Sequence, residues 1–403
     1  LILTLCVYGS YAFGAMIVLP VSLVLGLLIM VIAGVLHSSL THEVLHGHPF
    51  KNAIINAILV FPALIIFIPY LRFKDTHLEH HRDERLTDPY DDPETNFMDP
   101  NIWDRLPIWR QSLHQFNNTL LGRMFLGPVL SQFAFMRADL RLLMAGNRRV
   151  ALGWLLHVPS LIVAYVMVVV IADVQVWIWV LAAYLSMAIL KIRTYLEHRV
   201  HDHPRGRSVV VEDRGVLAFL FLNNNFHSVH HAHPSVPWYA LPRLFASKRD
   251  RFLTMNDGYH FGCYGEVIHR FAINRKDPVA HPAWSQKSVD SAVSQLRDID
   301  GVVYLAGVYW PMPATEWKSA EAVTMVDINL TGAMRTLGPV VEKFLERDQG
   351  HVVITGSLVG FRGLPRSIGY TASKAGLMTL AESMYYDFRK TGISVQMVNP
   401  GYI

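Results

Sequence analysis

The sequence predicts two unlike units: an all-α membrane unit with four spans in two hairpins over residues 1–282, and a partial α/β unit over residues 283–403. Three observations predict this. Four apolar stretches each reach the roughly 20 residues that a bilayer crossing needs. Short histidine-rich segments lie just beyond the ends of those stretches. From about Val289 onward, the pattern turns to alternating short apolar strands and helices. At 403 residues, 52% hydrophobic and with net charge +4, the chain has room for two or three domains. Its two cysteines, Cys6 and Cys263, belong to no motif, which excludes a disulfide framework, a cysteine-based zinc site and an iron–sulfur cluster. The chain starts at Leu1 inside an apolar run, so the N-terminus reads as truncated.

The first hairpin is residues 1–19 and 21–40, divided by Pro20; the second is 150–172 and 174–196, divided by Asp173. A fifth apolar stretch, 52–71, carries Pro62 and Pro69. If it crossed, it would put His42 and His77 on opposite sides, so it reads as interfacial or re-entrant. Eleven Lys and Arg residues fall between positions 72 and 149, Arg82 and Arg85 among them, while the Asp173 turn carries none. The positive-inside rule then places the middle segment, and everything after His198, in the cytoplasm.

Chemistry concentrates in "HEVLHGH" (His42, His46, His48), "HLEHHRD" (His77, His80, His81) and "NNNFHSVHHAHP" (His227, His230, His231, His233). On a helix, residues three or four apart share a face. His42 and His46 therefore form one cluster, His77, His80 and His81 a second, and His227, His230 and His231 a third. His198, in "TYLEHR", emerges from the fourth span on the same side. Imidazole suits iron, zinc and copper alike, and this many rings point to two ions. Glu43, Glu79, Asp83, Asp88, Asp92 and Glu197 lie close enough in sequence to orient ligating rings. Of Asn223, Asn224 and Asn225, one could hold a metal-bound water, or all could cap and turn the chain. "HEVLH" also fits the H-E-x-x-H zinc-protease pattern with Glu43 as base, but that leaves the other two clusters without a purpose. A haem protein would need single histidines on facing helices rather than boundary clusters.

The order H-x3-H, H-x2-H-H, H-x2-H-H across two hairpins resembles the membrane fatty acid desaturase family. "PYLRFKDTHLEHHRDERLTDPYDDPE", "RTYLEHR" and "NNNFHSVHHAHP" look like its bacterial acyl desaturase branch. The resemblance implies two non-haem iron ions, held by His42, His46, His77, His80, His81, His198, His227, His230 and His231, with His37 and His48 in supporting places. It implies O2-dependent insertion of a double bond into an acyl lipid or carrier-bound acyl chain. It also implies a multi-pass protein of a bacterial inner membrane, its active site on the cytoplasmic side. Alkane hydroxylases and carotenoid ketolases share the three boxes, so hydroxylation is the alternative. The chain has no H-P-G-G haem motif and no ferredoxin cysteines, so one-electron reduction needs an external donor of ferredoxin or cytochrome b5 type. No nucleic acid partner is expected.

In the C-terminal unit, segments 301–307, 351–357 and 393–399 read as buried parallel strands, and 319–346 and 370–391 as helices. In "YTASK", Tyr370 and Lys374 are one helical turn apart, and an ammonium beside a phenol lowers its pKa toward acid–base work. With Ser357, Asn329 in "INLTG", Gly307 and "NPG" at 399–401, the set resembles the short-chain dehydrogenase/reductase family and implies a Rossmann-like fragment. There Tyr370 would be the catalytic acid/base and Ser357 would orient the substrate oxygen. Lys374 would hold the cofactor ribose, with Gly307 beside it, and Asn329 would anchor a relay water. The strand, glycine-rich turn and helix that hold a dinucleotide in that family have no counterpart between Asp277 and Gly301. The fragment is therefore expected to bind no NAD(P) and to be inactive. The junction, 282–288, reads as a seam rather than a linker, because it has no Gly/Ser- or Pro-rich spacer. A bifunctional enzyme completed by another chain is the remaining reading.

Overall fold

The computed structural model describes residues 1–81, 86–282, 286–296 and 298–401. Arg82, Asp83, Arg85 and the middle of the expected seam (283–285) lie outside the described residues. The chain divides into two compact units, Leu1–Pro282 and Ala283–Ile403.

In the first unit, α1 (Ile2–Phe13) continues as a π-helical turn, Gly14–Val18, and packs against α2 (Leu23–Leu45). Ser22 caps α2, its hydroxyl accepting from Leu25 N–H. The helix runs about one turn beyond the expected end at residue 40 and so carries His42 and Glu43. The stretch after it does not form a long helix. Asn52 caps a short helix, Ala53–Leu59, and the chain then turns until Pro69 starts α3 (Tyr70–His80). Asn147 caps α4 (Arg148–Tyr165), which continues as a π-helical turn, Val166–Ile171. Asp173, at φ +51°, reverses the chain into α5 (Val176–Thr194).

Among the described residues, three helical stretches are long and apolar enough to cross a membrane: Leu23–Leu45, Arg148–Ile171 and Val176–Thr194. Ile2–Val18, expected as a fourth span, is shorter and sits at the lower end of the range of about 17–25 residues. At Gly34, α2 packs closely on α5. A Cβ there would collide with Ser186, whose hydroxyl lies between the carbonyl acceptors of Ala182, at 2.8 Å, and Val31, at 3.1 Å. That close approach brings the C-terminal ends of both helices, and the histidines beyond them, into one region.

Beyond α5, the chain forms a two-residue parallel pairing of Val210–Val211 with His260–Phe261 and then α6 (His227–Ala232). The buried core joins α1, α2, α5 and these segments through Met30, Val35, Trp179, Phe221 and Tyr264.

The second unit holds β1 (Gly301–Tyr304), β2 (Gly350–Thr355) and β3 (Ile393–Val398) in a parallel sheet of order β1-β2-β3. Its helices are α7 (Gln286–Gln295), α8 (Ser319–Val326), α9 (Gly332–Arg347) and α10 (Ile368–Asp387). The strands alternate with helices as expected but are shorter, and the helical stretch from 319 is interrupted by a π-helical turn, Asp327–Thr331. Its core is Leu337, Phe344, Val352, Ile354 and Leu377.

Candidate metal centre

Nine buried or half-buried histidines converge in two groups. His42, His46, His77, His81 and His230 form one; His80, His198, His227 and His231 form the other. Within each group, one ring nitrogen from every residue lies within 4.8 Å of the others. The helical spacings explain the convergence. His42 projects from the last turn of α2, and His46 caps its end. His77 and His80 occupy the last turn of α3, with His81 as its cap. His227, His230 and His231 lie on α6. The two groups touch where the rings of His81 and His231 stack.

Side chains behind the rings set their orientation. Asp92 Oδ1 lies 2.8 Å from His80 Nδ1, and Glu94 Oε1 lies 3.1 Å from His77 Nδ1. A carboxylate only accepts, so in both rings Nδ1 carries a hydrogen and Nε2 is the atom left for the other imidazoles. Asn224 Oδ1 accepts from His227 Nδ1 at 3.2 Å, and the Ser208 hydroxyl lies 3.2 Å from His198 Nδ1. The Nε2 atoms face one another: His77 and His81 at 3.0 Å, His80 and His198 at 2.8 Å, His81 and His230 at 3.2 Å. Nε2 of His42 and of His46 are buried with no hydrogen-bond partner among the described residues. Buried nitrogens with converging lone pairs repel unless a cation sits between them. The set therefore fits two metal ions of the kind that imidazole binds.

The electrostatics agree at five of the rings. Burial and then the neighbouring imidazoles hold His81, His198, His227 and His230 well below the ordinary histidine range, and His46 is pushed down to about 3. These rings are neutral and ready to ligate. At His80 burial opposes charge, but Glu94, Asp92 and Glu197 outweigh it and push the ring up to about 9. At Glu94 burial also opposes charge, and His80 and His77 reverse it, holding the carboxyl below its usual range.

Of the six acids expected to orient rings, Asp92 does so directly. Glu197 lies 3.7 Å from His227 Nδ1 and pairs with Arg193 at 2.8 Å. Asp88 does not. Its carboxylate accepts from Tyr90 N–H and Asp91 N–H in an exposed turn, because a short side chain there is satisfied locally. Glu43 accepts from Trp238 N–H at 3.1 Å and so ties α2 to the segment after α6. That contact, with five histidines where a protease needs two, removes the zinc-protease reading. Asn223 and Asn225 brace the turn before α6 through the carbonyls of Trp238 and Val211. His37 bonds Tyr8 at 3.0 Å and stands apart from both groups. Glu94 was not among the expected acids. It follows the second histidine segment in a loop, and the acid-rich run around it, "DDPETN", is its only sequence signal.

A cavity of about 190 Å³ adjoins the site. Its apolar walls come from the 53–71 segment, Phe73 of α3 and Leu156 of α4, while α2 contributes the polar His37, Ser38 and Thr41. Thr41, beside His42, and Phe73, whose ring lies 5.6 Å from that of His77, mark its approach to the histidines.

In the second unit, Lys374 Nζ lies 5.6 Å from the Tyr370 ring and donates to Thr355 O at 2.8 Å. Burial lowers its pKa. A Cβ on Gly307 would stand 3.3 Å from Asn329 Oδ1 and 3.5 Å from Lys374 Nζ, so Gly307, Asn329, Tyr370 and Lys374 are neighbours. Asn329 is fully engaged: it accepts from Val308 N–H and donates to Val308 O and Ser373 Oγ. The Ser357 hydroxyl accepts from Val359 N–H at 3.4 Å.

A family model described as "Fatty acid desaturase" matches residues 15–262, and one described as "short chain dehydrogenase" matches 270–403. Curated relatives include an "Uncharacterized oxidoreductase" of Myxococcus xanthus, 37% identical over 28% of this chain and 48% of its own length. A 3-oxoacyl-[acyl-carrier-protein] reductase FabG of Rickettsia typhi is 29% identical over 30% of this chain and 49% of its own. A solved short-chain dehydrogenase/reductase from Vibrio parahaemolyticus aligns at 24% identity and TM-score 0.28, over 29% of this chain and 57% of its own. The chain thus spans about half the length of the curated relatives it matches. Both matched families are oxidoreductases, and with the first covering more than half of its length, the chain belongs to the fatty acid desaturase family.

Proposed function

We propose that residues 1–282 form a four-span, di-iron acyl desaturase whose catalytic centre is the nine-histidine cluster. The observation that carries this reading is the convergence of nine imidazoles in two groups, with His77 and His80 oriented by Glu94 and Asp92. His42, His46, His77, His81 and His230 would hold one iron; His80, His198, His227 and His231 would hold the other. Bound there, two irons supply O2 activation and hydrogen removal from an unactivated CH2. The cavity beside Thr41 and Phe73 supports an acyl substrate: its apolar walls exclude water and fix the chain relative to the histidines. Desaturation takes two electrons and two protons from the acyl chain. Reduction of O2 to two waters takes two more of each, and the electrons come one at a time from an external ferredoxin or cytochrome b5-type donor. The localisation that follows is a bacterial inner membrane with the centre on the cytoplasmic side.

The test is lipid profiling of cells expressing the full chain against His81→Ala. A product two mass units lighter than its parent supports desaturation. A product one oxygen heavier moves the assignment to the hydroxylase or ketolase reading, and no new lipid ends both.

For the second unit we propose no NAD(P) binding and no hydride transfer, since the sequence between Asp277 and Gly301 has no glycine-rich turn to hold the dinucleotide. Titration of the full chain with NADPH, followed by fluorescence, checks this. Micromolar affinity lost in Lys374→Ala would restore the bifunctional reading.

A further inference from the structure

The 18-residue helix Gly127–Met144 lies outside the candidate spans. Val129, Phe133, Met136, Leu140 and Met144 recur along it at intervals of three and four residues, so they line one face, and each is 51–74% exposed. The opposite margin is anchored. Asp139 accepts from Arg72 and, at 2.8 Å, from Trp154 Nε1, which fixes the helix against α3 and α4. Arg137 and Arg141 follow the stripe along one flank, exposed and without ion-pair partners among the described residues. Between positions 108 and 150 there are six arginines and a single acid, the buried Asp139.

We propose that this helix lies in the membrane–water interface and selects anionic lipid headgroups. Five large apolar side chains in one exposed row leave an unpartnered surface in water. On α4, to which the Asp139–Trp154 hydrogen bond ties this helix, Leu155 and Ile162 are exposed as well. The flanking guanidiniums supply the complementary charge and hydrogen-bond donors for a phosphate diester. A protein partner for the row would have to accommodate the same uncompensated positive flank, whereas an anionic leaflet matches it.

The inference rests on the membrane reading of the spans, and the experiment separates the two. The full chain, with Cys6 and Cys263 replaced by serine, is reconstituted into phosphatidylcholine–phosphatidylglycerol vesicles. It carries a single spin label at Phe133→Cys, Ala138→Cys or Ile162→Cys. Expected is an oxygen-accessible, nickel-shielded label at 133, a water-accessible label at 138 on the far face, and a deep label at 162. Water access at 133 with depth at 162 overturns this inference alone. Water access at 162 overturns it together with the membrane reading. Shielding of 133 from both reagents means protein covers the row, as in a second copy, and overturns it too. In Arg137→Gln/Arg141→Gln, preference for phosphatidylglycerol in co-purified lipid should fall roughly fivefold for each arginine removed; an unchanged ratio overturns the headgroup claim.

Discussion

The imidazole of His81 stacks on that of His231, ring centroids 4.2 Å apart and planes 11° from parallel, although 150 positions separate them in the sequence. His81 belongs to one histidine group and His231 to the other, so this contact is where the two candidate metal positions meet. His81→Ala or His231→Ala should remove product and lower bound iron below two per chain. Metal analysis of purified protein, alongside lipid profiling, checks this. Two irons retained with activity lost would assign the stack to positioning rather than ligation.

Glu94→Gln tests the orientation of His77. The amide can present its NH2 to Nδ1, which releases the tautomer that leaves Nε2 free to ligate. A fall of about 10–100-fold in iron affinity is expected, typical for loss of a carboxylate behind a ligating imidazole. Asp92→Asn should behave alike at His80. A competition titration with a chelator reads both.

Asp139→Ala should destabilise the first unit without touching the histidines. It leaves the buried Arg72 guanidinium without its carboxylate and Trp154 Nε1 without its acceptor. Breaking a buried pair from one side costs about 3–5 kcal/mol. The readout is a lower thermal midpoint in detergent, with iron stoichiometry in the remaining folded protein unchanged.

Ala57→Trp fills the cavity next to the centre. Turnover of long acyl chains should fall more than that of short ones, read as a shift in product chain length. Uniform loss across lengths would disconnect the cavity from substrate.

How much of this was legible in the sequence differs by kind of residue. The ligand candidates were readable because helical spacing dictates which histidines share a face, and α2, α3 and α6 supply that spacing. The extent of α2 was not. Its apolar run stops near residue 40, but backbone hydrogen bonding continues through Thr41, His42 and Glu43 inside the protein, where periodicity rather than polarity governs. Asp88 was among the acids expected near the rings and Glu94 was not, for one reason: both lie in a loop, whose course depends on packing rather than on any repeat. Asp88 has local backbone donors and takes them, while Glu94 is carried under His77. The first arm of the first hairpin was expected at 1–19 and is helical over Ile2–Val18, its last turn π-helical. In the second unit, strand order and direction followed from the alternation of strand and helix, while strand ends came out shorter because the outer residues lack pairing neighbours.

The three-stranded sheet has a further consequence. Among the described residues β1 pairs with β2 alone, and Val303 and Leu305 stand 58% and 70% exposed at that margin. An unpaired strand edge of this kind is a template for another copy. Chains confined to a membrane meet in two dimensions, at an effective concentration far above their bulk value. Self-association of the full chain would then originate in residues 283–403 rather than in the desaturase unit, and clustering in the membrane would carry no information about catalysis.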